Sequence, residues 1–147
     1  MSESASQDSA QQAEFRQYCQ QWLQDNKPAE PPVRLPLSPL EIMTVEQLTY
    51  LQAWQKSAYD AGLIGCDYPV VVGGGGRTDC QRIANDEMIR ARTPFLPNVI
   101  GLGMAAPTVF YHGQQALKEL CRGLAAAGKC SAEPAEPQSD FFAGRRR

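Results

Sequence analysis

Few residues of this chain are of a type and spacing that could do chemistry. His112 is the only histidine, so a Ser-His or Cys-His nucleophile pair would have to use it. It falls at the end of an apolar helical segment, where an imidazole meets the last carbonyls and the negative end of the helix dipole; that capping role is the one expected. Asp86-Glu87 sets two carboxylates side by side, but neighbours on a helix diverge by about 100°, too far apart to share one proton-transfer task. Both are expected as surface charges. Gly73 to Gly76 are four consecutive glycines whose amides could surround a phosphate. No Lys-Ser/Thr follows them and no strand precedes them, so a flexible turn is expected instead. The five cysteines, Cys19, Cys66, Cys80, Cys121 and Cys130, are odd in number, irregular in spacing and contain no Cys-x-x-Cys pair. They read as free thiols packed as small hydrophobes, not as a disulfide framework or a zinc site.

What remains is the run Pro97 to Gly113, apolar, rich in small residues and carrying Gly101-Leu102-Gly103. Each glycine inside a helix costs about 1 kcal/mol relative to alanine. A helix that keeps two so close needs a ligand or another backbone to approach closely; for each glycine the ligand and tight helix packing are equally good explanations.

The elements that would position this run follow from capping residues and apolar periodicity. Residues 1–8 are expected to be disordered. Ser9 with Gln12 forms a capping box, and Phe15, Tyr18, Cys19, Trp22 and Leu23 make one helical face ending about Asn26. Lys27 to Pro39 holds five prolines and reads as an extended connector. Thr44 with Gln47 opens a second helix, with Leu48, Leu51, Trp54 or Gln55, Ala58 and Ala61 at helical spacing and Gly62 as the stop. Val70 to Val72 has no partner strand and is expected as buried loop. Thr78 with Gln81 is expected to cap a third helix, with Ile83, Ala84, Met88 and Ala91 inward, ending near Thr93-Pro94. Asn98 opens the glycine helix, which stops at Gly113. A fifth helix starts at Gln114 with Leu117, Leu120, Cys121 and Leu124 inward. The expectation is an all-α, up-and-down bundle of about five helices over 9–124, followed by an irregular tail over 125–147.

The 147 residues carry 14 basic and 16 acidic side chains, a net of −2, which excludes a strongly basic nucleic-acid surface. Arg145 to Arg147 are expected as a solvated tail. No apolar run reaches membrane-spanning length, and the start has neither a secretory nor a transit-peptide pattern; a cytoplasmic protein is expected.

Taken in order, these segments resemble the N-terminal helical domain of acyl-CoA dehydrogenases, flavin enzymes that oxidise the Cα–Cβ bond of acyl thioesters. The likeness runs over roughly 13–120. Phe15 to Trp22-Leu23 is similar to the opening helix of that domain, and Trp54-Gln55 to Gly62-Leu63 to its Trp-Gln…Ala-Gly-hydrophobic helix. Tyr68-Pro69 with the glycine run is similar to its Pro-x-x-x-Gly-Gly loop, and Asp86-Glu87 to the Glu-Glu of the next helix. Asn98 to Thr108 with His112-Gly113 matches its strongest motif.

The resemblance implies that the glycine helix lines an acyl pocket beside FAD, with Leu102, Gly103 and Met104 as substrate contacts. It further implies that Cys130-Ser131-Ala132-Glu133-Pro134 and Ser139-Asp140 echo the entry to a flavin-binding β domain, which makes Ser131 and Ser139 the cofactor candidates. Departures accompany it. Pro137 and Gln138 stand where glycine is wanted, and Ala132 stands where the family often has a hydroxyl. The β domain and the helical bundle that bears the catalytic glutamate are not expected in this chain, so no catalytic residue and no activity of the isolated chain are expected. Two other readings stay open: a helical subunit that pairs with a separately encoded partner, and a small acyl-binding module; the chain could form a homo- or a hetero-oligomer.

Overall fold

The computed structural model describes residues 8–119. The expectations for 1–7, for Leu120, Cys121 and Leu124, and for the tail with Ser131 and Ser139 lie outside them. Among the described residues the fold is all-α, with no strand. Helix α1 spans Ala10–Asn26, α2 Val45–Asp60 and α3 Cys80–Arg90. A further helix covers 99–112: a wide π turn at Gly101–Ala105 runs straight into α4, Ala106–His112. A last helical stretch, 115–119, starts from Gln114, whose carbonyl accepts from the Lys118 amide.

The first two helices begin where their sequence signals put them. Ser9 Oγ accepts from the Gln12 amide and the Gln12 side chain accepts from the Ser9 amide; Thr44 and Gln47 repeat the arrangement. Each box satisfies two amides that a helix start leaves without partners. The α2 stop is equally local. Gly62 takes φ +77, the Leu63 amide reaches back to the Ala58 carbonyl and the Gly62 amide to Tyr59. This paired closure favours glycine at the left-handed position. Helix α3 closes the same way, with Thr93 on Met88 and Arg92 on Ile89, but Arg92 occupies the left-handed site at φ +51.

The start of α3 corrects the expected Thr78–Gln81 box. The residue before the helix is Asp79, at φ +57, and its side chain caps nothing. Asp67, 13 positions earlier, supplies the cap: its two carboxylate oxygens accept from the Cys80 and Gln81 amides. Gln81 is thereby freed to turn to the loop. Its Oε1 accepts from the Gly65 and Cys66 amides and its Nε2 donates to the Leu63 carbonyl.

Helices α1 and α3 pack directly on each other. The main core gathers Phe15, Cys19 and Leu23 of α1, Trp54 and Ala58 of α2, Leu63, Ile64 and Cys66 of the following loop, Ile83, Ala84 and Met88 of α3, and Leu102. Trp22 and Trp54 stack at 6.1 Å to join α1 to α2. A smaller cluster, Val72, Ala106 and Phe110 with Tyr68, seats α4 on the loop. Burying each large aliphatic side chain contributes about 1.5–3 kcal/mol, so the main cluster decides the fold.

Several expectations fail in detail. Asp8 is ordered, held by Arg16 and Arg82, so the disorder expected over 1–8 does not reach it. Tyr18 is half-exposed and donates its hydroxyl to the Ala61 carbonyl. Val70 to Val72 is a single 3-10 turn that buries Val72 alone. Leu117, expected inward, is exposed.

Candidate functional site

One sizeable apolar groove, about 480 Å³, lies where four pieces of chain meet. Its floor is Ile64, Gly65 and Tyr68; α3 contributes Gln81, Asn85, Met88 and Ile89; the segment 93–96 forms one side, and Val99, Leu102 and Gly103 form the other. Its size and predominantly apolar lining with a few polar groups fit a small-molecule site. Among the described residues no carboxylate, histidine or cationic side chain lines it.

Each wall is held by hydrogen bonds from outside the groove. Trp54 and Gln55, neighbours on α2, grip the two ends of 94–98: Trp54 Nε1 donates to the Pro94 carbonyl at 3.0 Å, and Gln55 Oε1 accepts from the Asn98 amide at 3.2 Å. Thr93 Oγ1 donates to the Met88 carbonyl. Gln81 ties the floor to α3 as described above. Asn98 Oδ1 accepts from the Gly101 amide, the N-cap bond expected of it.

The glycine helix departs from a regular α-helix for a reason visible in its sequence. Pro107 lacks an N–H, and its ring would crowd the carbonyl four residues earlier, on Gly103. The turn before it widens, and the Ala106 amide reaches the Gly101 carbonyl five residues back. The next bond in that register would run from residue 107 to Leu102, and proline cannot make it. Tyr68 makes it instead: its hydroxyl donates to the Leu102 carbonyl, while its ring meets Phe110 edge-on at 4.9 Å. Burial holds the Tyr68 phenol protonated, its pKa pushed up to about 12, so it remains a donor across the working pH range.

The two glycines have different reasons. A Cβ on Gly101 would stand 2.1 Å from Asn98 Oδ1, so Gly101 is small because the N-cap side chain folds over it. A Cβ on Gly103 would meet nothing within 4 Å; its missing side chain leaves the groove open. Of the three expected substrate contacts, Leu102 and Gly103 line the groove, whereas Met104 lies outside the lining and is largely exposed.

The other candidates resolve as follows. The glycine-run amides are committed to backbone carbonyls: Gly73 to Val70, Gly74 to Pro69, Gly75 to Gly65, Gly76 to Tyr68. None is left for a phosphate, and a Cβ on Gly74 would stand 2.1 Å from the Tyr68 carbonyl oxygen, so the loop is tight rather than flexible. Cys19, Cys66 and Cys80 are buried free thiols, as expected. Burial pushes the Cys19 and Cys66 pKa values up to about 12, which removes them as nucleophiles at neutral pH. His112 is exposed in the last turn of α4. Among the described residues no cluster of histidine, cysteine or carboxylate could hold a metal, and no helix is long and apolar enough to cross a membrane.

Glu87 overturns the surface-charge expectation. It is buried, Oε1 lies 2.7 Å from both Arg16 Nη1 and Arg90 Nη1, and Oε2 accepts from Gln20. Asp86 behaves as expected, paired along the helix with Arg82. The reason is helical phase: adjacent positions face different surroundings, and α1 packs over Glu87. Sequence reasoning also missed Tyr68 and Gln81. Pro107, inside an apolar helix, was the signal that a carbonyl nearby would need an outside donor.

Compared with protein-family models, curated proteins and solved structures, the chain matches none.

Proposed function

We propose that this domain holds an apolar acyl group, as its thioester, in the groove between α3 and the glycine helix. In this reading it is the up-and-down helical N-terminal portion of an FAD-dependent oxidoreductase resembling acyl-CoA dehydrogenases. The observation that carries the reading is that Leu102 and Gly103 line a largely apolar groove and that a Cβ on Gly103 would meet nothing within 4 Å. The order of motifs along the chain supports it independently.

Among the described residues nothing is arranged for a flavin. The glycine amides are spent on carbonyls, the groove wall is apolar, and the candidates Ser131 and Ser139 lie outside those residues. Among the described residues no side chain of the groove can take a proton from an acyl α-carbon, since none of those that line it is a carboxylate or imidazole. The role proposed for these residues is to bind and orient the chain.

The test is displacement of a solvatochromic fatty-acid probe by saturated acyl-CoA thioesters of rising length. Affinity is expected to climb about fourfold per methylene, the equivalent of about 0.8 kcal/mol each, until the groove is full. Gly103→Leu, whose Cβ has room, is expected to stay folded and lose binding at least tenfold. A probe that binds equally well to Gly103→Leu would remove the groove from the proposal.

A second reading, a helical subunit that pairs with another chain, is favoured by one observation. Ile100, Met104 and Tyr111 of helix 99–112 are all exposed to solvent. Tyr111→Glu with Met104→Glu is expected to abolish any self-association seen by light scattering and leave probe binding unchanged. A monodisperse wild-type monomer speaks against self-pairing.

A further inference from the structure

The glycine helix has a built-in register defect, and the residue that repairs it is on the groove floor. Pro107 denies the Leu102 carbonyl the amide that the π turn would otherwise bring to it, and a buried carbonyl without a donor costs about 1–3 kcal/mol. The Tyr68 hydroxyl supplies that donor from a different piece of chain, 34 residues away in sequence. Three features converge there. Tyr68 lines the groove, its ring packs on Phe110 one helical stretch further along, and its own backbone carbonyl accepts from the Gly76 amide, which anchors it to the tight glycine loop.

We propose that Tyr68 is a positioning residue for the groove: its hydroxyl locks the helix 99–112 in the widened register, and that register sets where Leu102 and Gly103 stand against the ligand. The lock is specific to the pair Tyr68–Pro107. With an amide at position 107 the Leu102 carbonyl has a backbone donor in either register, residue 107 in the wide one or Ala106 in the regular one, and the hydroxyl becomes redundant. The consequence for ligand binding rests on the acyl-groove reading above; the lock itself does not.

The experiment is a double-mutant cycle on the full chain with Tyr68→Phe, Pro107→Ala and the pair. It is read by amide hydrogen exchange and by titration with the solvatochromic fatty-acid probe. Tyr68→Phe keeps the ring on Phe110, so the fold is expected to survive. The Ala106 amide should exchange at least tenfold faster, amides around Leu51 in α2 should not change, and probe affinity should fall about five- to tenfold. In the Pro107→Ala background the same tyrosine change is expected to move neither reading by more than about twofold. Pro107→Ala alone should show a new, protected amide at 107.

An equal effect of Tyr68→Phe in both backgrounds overturns the lock, as does an unprotected amide at 107. Should Tyr68→Phe fail to fold alone, recovery of the fold when Pro107→Ala is added supports the lock, and failure in both backgrounds overturns it. A wild-type chain that does not take up the probe, yet shows the exchange cycle as described, refutes the acyl reading and keeps the lock. The reverse outcome, probe binding that is indifferent to Tyr68, keeps the groove and refutes the positioning role.

Discussion

Glu87 Oε1 lies 2.7 Å from Arg16 Nη1 across the interface of α1 and α3, and both side chains are nearly closed off from solvent. Arg16 Nε also meets Asp8 at 2.6 Å, while its Nη2 is buried without a hydrogen bond. A buried pair with an unsatisfied donor is costly to assemble and costlier to break. Glu87→Leu and Arg16→Met are each expected to destabilise by about 3 kcal/mol in urea melts, and the double replacement by much less than the sum. Additive losses would show that the pair is not energetically coupled.

The two glycines of the groove helix are expected to respond oppositely to alanine. Gly103→Ala fills open space and gains helix propensity, about 0.5–1 kcal/mol of added stability. Gly101→Ala drives a methyl into the Asn98 side chain and forfeits its cap bond, a loss of about 1–2 kcal/mol. Thermal melts of the two variants side by side check both signs.

Alkaline stability is expected to fall from about pH 9 upward. The folded pKa values of Cys19 and Cys66 stand near 12, above their unfolded values. The unfolded chain therefore releases protons first as pH rises, and stability drops through that window. Cys19, Cys66 and Cys80, followed individually by peptide mass spectrometry, should resist a disulfide reagent at pH 8 and react once urea exposes them. Cys19→Ala with Cys66→Ala should flatten the alkaline slope.

At the acid end, Arg16 beside Asp8 holds the Asp8 carboxyl below its ordinary value. Its contribution is present above the unfolded pKa and is lost as pH falls through the folded one, so it disappears on acidification below about pH 4. Asp8→Asn is expected to remove that part of the acid dependence in a pH series of urea midpoints.

The helices and most of the core were legible in the sequence because their signals are local. Ser9–Gln12, Thr44–Gln47, Gly62 and Asn98 act within one or two turns, and the apolar spacing of Phe15, Cys19 and Leu23 chose the buried face. What escaped was decided by contacts between distant segments. Glu87 lost its water because α1 covers it; Gln81 left its expected box because Asp67 had taken the helix start. Of the groove, the glycine spacing was legible, but its floor and side were not. Tyr68 and the 93–96 segment carry no periodicity, and Met104, expected in the groove on the family resemblance, lies outside its lining and is largely exposed.

The cap that Asp67 lends to α3 has a bearing on how the chain assembles. A helix that begins without a signal of its own is hard to start in isolation, because the first turn is the expensive one. The segment from Asp67 to Cys80, a separation of 13 positions, must therefore close into its loop for α3 to be stable. A peptide cut at Asp79 is left without the instruction to coil. Since α1 rests on α3, the packing of both helices leans on one aspartate that belongs to neither.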